Sequence, residues 1–104
     1  MVVKIITSKN FEEFVSQNRI AVIDFHANWS MPCRIVSPRI EELSNEMDNI
    51  ASGKINVDEN EDIAQRFGLV SIPTVIVFKE GKQIDEVVGT QPKDKIRELI
   101  EKYI

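Results

Sequence analysis

The sequence predicts an α/β fold, a mixed central sheet of about five strands flanked by four helices. Three observations carry that prediction. Ile20-Ala21-Val22-Ile23-Asp24-Phe25 is a nearly continuous apolar run, which suits a central strand covered on both faces. On either side of it, helical apolar spacing alternates with short β-rich runs, and that alternation implies parallel crossovers. Near the C-terminal end two strand-like runs flank Lys79-Glu80-Gly81-Lys82, a hairpin signal that makes the last part of the sheet antiparallel. At 104 residues, with 42% hydrophobic and 29% charged, residues 1–104 are expected to form one domain able to bury a core without metals or disulfides.

Val2 to Ile6 reads as the first strand, and Thr7 and Ser8 as caps for a short helix whose apolar face is Phe11, Phe14 and Val15. The apolar run ending at Phe25 is the second strand. A long helix is expected from about Met31 to Asp48, with Val36, Ile40, Leu43 and Met47 on one face. Pro38 interrupts that pattern; a proline there removes one N–H bond and predicts a kink. Ile50 to Asn56 forms the third strand, and Asn60 to Phe67 a short helix stopped by Gly68. Val70 to Pro73 reads as a loop, because proline biases its predecessor toward extended backbone. Thr74 to Phe78 and Gln83 to Val88 are the hairpin strands. Pro92 opens the last helix, with Ile96, Leu99, Ile100 and Tyr103 on one face.

Several function classes are disfavoured. The net charge is −4, with basic and acidic residues interspersed, so there is no basic stripe to track a phosphate backbone and nucleic acid is not an expected partner. Met1-Val2-Val3-Lys4-Ile5-Ile6 is too short and too interrupted by charge to be a signal peptide or membrane span. A cytoplasmic monomer without a membrane partner is expected. One cysteine and one histidine make neither an internal disulfide nor a metal site, and no cofactor is implied.

The informative stretch is Trp29-Ser30-Met31-Pro32-Cys33-Arg34, which joins the central strand to the long helix and holds the only tryptophan and the only cysteine. A cysteine in the first turn of a helix is where thiol chemistry is expected, because backbone N–H groups and the helix dipole favour a thiolate. Two cysteines at this spacing would make a redox pair; here the first is serine. Serine is also a preferred N-cap whose hydroxyl would accept the Cys33 amide. Cys33 by itself reads as a small buried hydrophobe. Asp24 is a charge in an expensive place, since an unpaired buried carboxylate costs several kcal/mol. His26 reads as a structural histidine without a defined proton partner.

With Asp24-Phe25 before it, Pro38 after it, then Asn56-Val57-Asp58, Phe67-Gly68, Ile72-Pro73-Thr74, Gly81 and Gly89 in order, this stretch resembles the thioredoxin family, whose motif is Trp-Cys-Gly-Pro-Cys-Lys. The resemblance implies the thioredoxin fold and a protein disulfide reductase, acting on protein disulfides and recharged by a thioredoxin-reductase-like enzyme if the cysteine pair were intact. It implies that Ser30 holds the position of the outer, more exposed attacking cysteine and that Cys33 is the inner, resolving thiol. Asp24 matches the buried proton acceptor for that thiol, and Lys54 its neighbour. Ile72-Pro73-Thr74 matches the loop that pairs with an extended peptide, with a proline that is cis in the family. Trp29, Met31, Pro32, Ile72, Pro73 and Gly89 would form the recognition patch. The departures are Ser30, Met31 for glycine, and His26 where an aromatic is usual.

A serine hydroxyl stays protonated at neutral pH and cannot begin disulfide exchange, so the dithiol cycle is expected to be disabled. Three readings follow. The chain is a thioredoxin lacking its nucleophile, a redox-inactive module that binds extended peptides, or a single-thiol exchanger acting through Cys33.

Overall fold

The structure, a computed structural model, describes residues 3–104; Val2, the expected start of the first strand, lies outside them. The elements are β1 (Val3–Ile6), α1 (Phe11–Gln17), β2 (Ile20–His26), α2 (Met31–Glu46), β3 (Ala51–Asn56), α3 (Glu61–Arg66), β4 (Thr74–Lys79), β5 (Lys82–Val88) and α4 (Lys93–Glu101). The strands form one five-stranded sheet in the order β1-β3-β2-β4-β5. β3 runs parallel to β1 and β2, while β4 is antiparallel to both β2 and β5.

Side chains alternate across a strand, and this alternation sorts the core into two layers. Ala21, Ile23 and Phe25 of β2 pack with Phe11, Phe14 and Ile63 from α1 and α3. Ile20 and Val22 pack on the other face with Val36, Ile40 and Leu43 of α2 and with Ile96 and Ile100 of α4. Continuing the same alternation puts Asp24 and His26 on the α2 side of the sheet. On β3, Ile55 belongs to the α1 layer, so Lys54 also falls on the α2 side, and the register sets it directly opposite Asp24. The buried carboxyl, the lysine and the start of α2 are thus gathered by strand periodicity alone.

Element ends differ from the sequence expectations in instructive ways. α2 stops at Glu46 rather than Asp48, and Met47 closes it by donating its N–H to Leu43 O at 2.8 Å. Pro38 lies within that single helical span. Thr7 and Ser8 do not cap α1; Asn10 occupies the N-cap position, and its Oδ1 accepts the Thr7 N–H at 2.7 Å. Ser8 instead donates to Asn60 and Asp62, tying β1 to α3. Gly68, with φ +60°, stands just beyond α3 as expected. The hairpin turn is tighter than a generic glycine turn: Lys79 pairs with Lys82, and Glu80 and Gly81 both have positive φ, the backbone that matches the twist of a two-residue hairpin. Tyr103 lies past the end of α4 yet still packs on its layer, and its hydroxyl donates to Asp85 Oδ2 at 2.6 Å.

Candidate active site

Ser30 is the N-cap of α2. Its extended backbone (φ −88°, ψ 115°) turns the hydroxyl back over the first turn, where Oγ accepts the Cys33 N–H at 3.3 Å. Pro32 sits in that same turn, where a missing N–H leaves no helix bond unmade. The resemblance implies that position 30 is the more exposed of the two; Ser30 is 3% exposed and Cys33 1%. Both are buried, and the capping bond turns the serine hydroxyl toward the Cys33 amide. What separates them is the cleft each one borders.

The first cleft is apolar, about 490 Å³, and its wall includes Trp29, Ser30, Met31, Pro32 and Ile72. Trp29 and Met31 are 71% and 63% exposed. The indole is held in place by a 2.8 Å hydrogen bond from Nε1 to Asp58 Oδ2. Four of the six expected patch residues therefore meet here. The other two are not part of this wall: Pro73, in a cis peptide with Ile72, is buried, and its carbonyl accepts the Gly89 N–H at 2.8 Å. Sequence reasoning missed the opposite wall, Val57, Ala64, Leu69 and Val70. Val70, 97% exposed, is the one that a reader of the sequence could have found, as an apolar residue following a helix-ending glycine with no helix or strand to bury it.

The second cleft is smaller, about 330 Å³, and is bordered mostly by polar residues, His26, Asn28, Arg34, Ser37 and Lys54, together with Cys33. Asp24 lies beside it, 1% exposed. Its Oδ2 accepts the Ser37 hydroxyl at 2.7 Å, and its Oδ1 has no protein partner. Burial pushes the Asp24 carboxyl up from 3.8 to about 6; the Ser37 hydrogen bond and then the Lys54 charge oppose that rise. Lys54 faces Asp24 in register, and no ion pair within 4 Å joins them among the described residues. His26, half-buried at the edge of the cleft, is held below its ordinary value first by burial and then by Lys54, against an opposing pull from Glu59.

Among the described residues no group of three or more His, Cys, Asp or Glu side chains could hold a metal ion, and no helix is long and apolar enough to cross a membrane. The arrangement brings together a capped helix start, a buried cysteine, a buried carboxyl of raised affinity for protons, and an apolar cleft beside a cis-proline loop. The family model for thioredoxin matches residues 2–102. The chain belongs to the thioredoxin family. It is 39% identical over 101 residues to the thioredoxin of Chlamydia caviae, covering 97% of this chain and 98% of that one. It is 43% identical over 100 residues to the thioredoxin of Staphylococcus saprophyticus, covering 95% of each. Among solved structures it is similar to the Plasmodium falciparum thioredoxin, with TM-score 0.92 and 34% identity over 98% of this chain and all of that one. A mutant thioredoxin from Halobacterium salinarum superposes with TM-score 0.91 and 36% identity over 96% of this chain and 88% of that one. Thioredoxin-family membership makes the chain a thiol-disulfide oxidoreductase by descent, on a sheet and helix arrangement shared along its length with these relatives.

Proposed function

We propose that this chain is a thioredoxin-type protein disulfide reductase whose dithiol cycle is disabled at Ser30, with the rest of the site retained. One observation carries the reading. The Ser30 hydroxyl stands at the N-cap above Cys33, where the family places an attacking thiolate. In the full cycle that thiolate bonds to one sulfur of a substrate disulfide and expels the other as a thiolate. Cys33 then attacks the mixed disulfide, closes an internal disulfide and releases the second substrate thiol, and a reductase restores the dithiol. Serine cannot form the first bond, so Cys33 has no mixed disulfide to resolve. In this reading Asp24 takes the Cys33 proton, and Lys54 biases the charge on that carboxyl. The Trp29 cleft, with Met31, Pro32 and Ile72, receives an extended segment of a protein partner. Pro73 and Gly89 support it from behind: the Pro73 carbonyl is already engaged by Gly89, which leaves backbone pairing with a peptide to Ile72. A single-domain cytoplasmic monomer without a cofactor fits this role, with protein disulfides and a thioredoxin-reductase-like enzyme as partners once the pair is complete.

A second reading is favoured by the apolar cleft itself, which needs no sulfur to work. As a redox-inactive module the chain would hold extended peptides there. The third, single-thiol exchange through Cys33, runs against the burial of that residue, which denies a substrate disulfide access to it. Turnover of a disulfide protein by a dithiol reductant, comparing the chain with its Ser30→Cys variant, separates these readings. The reductase reading expects a silent parent and an active variant. A folded but silent variant sinks it in favour of the binding module, and turnover by the parent supports the single-thiol route.

A further inference from the structure

Asp24 is cut off from solvent, yet it does not border the polar cleft; Ser37 does. Ser37 lies four residues after Cys33 on α2, so the two side chains occupy one face of the helix, one turn apart. Its hydroxyl is the only hydrogen-bond donor that reaches the carboxyl among the described residues, at 2.7 Å to Oδ2, while Oδ1 is left without a protein partner. A carboxyl held at one oxygen is restricted in orientation and keeps its other oxygen free to accept.

We infer that Ser37 is the positioning residue of this site: it pins the Asp24 carboxyl to α2 through Oδ2 and keeps Oδ1 open as the oxygen that takes the Cys33 proton. The inference rests on the reading of Asp24 as the proton acceptor given above. In the step concerned the Cys33 S–H bond breaks, an O–H bond forms on Asp24, and Cys33 is left as the thiolate. Ser37 of α2 bonds Asp24, Lys54 of β3 stands opposite it in register and acts on it through its charge, and β4 sets Val75 opposite it, while His26, Cys33 and Arg34 border the adjoining cleft. Ser37 is the uncharged member of this set that bonds Asp24 directly, and it counts, after burial, as the largest influence on that carboxyl. Because a donated hydrogen bond favours the ionised form, Ser37 opposes burial and keeps Asp24 a base at neutral pH.

The test follows the Asp24 side-chain carboxyl carbon by NMR across pH in the chain as it stands, where no second thiol interferes. With Ser37→Ala the midpoint is expected to rise by about one pH unit, and with Ser37→Thr, which keeps the hydroxyl, it is expected to stay at the parental value. In the parent chain, which needs no substitution, the Ser37 β-carbon is expected to titrate with the Asp24 midpoint. An unmoved midpoint in Ser37→Ala, or a Ser37 signal in the parent that ignores the Asp24 titration, overturns the inference. In the Ser30→Cys background, Ser37→Ala is expected to move the acid limb of the disulfide-reduction pH profile upward by the same amount. If Ser30→Cys is inactive while Ser37→Ala still moves the midpoint, the reductase reading fails and the hold of Ser37 on Asp24 stands.

Discussion

The two clefts on either side of the first turn of α2 are built from opposite materials. The cleft at Trp29 is an open apolar trough whose walls come from four separate stretches of chain. The cleft at Cys33 is smaller and bordered mostly by polar residues, and its walls come mostly from α2 and the strands beneath it. Ser30 borders the first and Cys33 the second. On the proposed reading, recognition and proton handling fall to different clefts, with Ser30 at the boundary between them. A substitution at that single position can remove the chemistry and leave both clefts standing.

The largest expected effect breaks the polar side alone. Asp24 titrates at about 6 in the folded chain against 3.8 when unperturbed. The folded state therefore holds its proton more tightly than the unfolded state does. Below pH 3.8 the carboxyl is protonated in both states and burial costs nothing through this group; stability is lost as pH rises from 3.8 to about 6, and the loss is complete above that. Asp24→Asn is expected to stabilise the protein at pH 7 by about 3 kcal/mol, since each pKa unit is worth about 1.4 kcal/mol, and by little below pH 3.8. Denaturant unfolding of both chains at several pH values reads this directly. His26 acts with the opposite sign: its depressed value removes stability as pH falls below 6.5. It is present in both chains, so it cancels in the comparison. Affinity of the apolar cleft for a peptide is expected to be unchanged by Asp24→Asn; a large loss there would break the separation of the two sides.

A smaller effect belongs to the boundary itself. Ser30→Ala removes the acceptor for the Cys33 N–H and is expected to cost about 1 kcal/mol of stability, as loss of an N-cap does. Ser30→Thr, which keeps a capping hydroxyl without adding a charge, is expected to recover most of it. An unfolding midpoint unmoved by Ser30→Ala would mean that the capping bond contributes nothing.

Much of this was legible in the sequence because it follows from periodicity. The apolar run from Ile20 fixes a central strand, and its alternation alone sends Asp24 to the α2 side; the stripe of Val36, Ile40 and Leu43 needs only the helical repeat. The Ser30 cap follows from residue type and position. The Ser37–Asp24 bond did not show, because a helix residue and a strand residue 13 positions apart meet only once the helix is docked at a particular rotation. Leu69 and Val70 were missed as cleft walls because loops carry no repeat to say which way they face.

Cys33 is buried, and the proposed reading therefore expects exchange in this chain to begin at position 30 and not at Cys33. The most direct measurement is the rate at which the lone thiol reacts with a small aromatic disulfide, compared between the folded chain and the same chain in denaturant. Folding is predicted to slow the reaction at least about a hundredfold, because access and not thiol content limits it. Similar rates in the two states would contradict this, and would return Cys33 to the list of groups that can start an exchange.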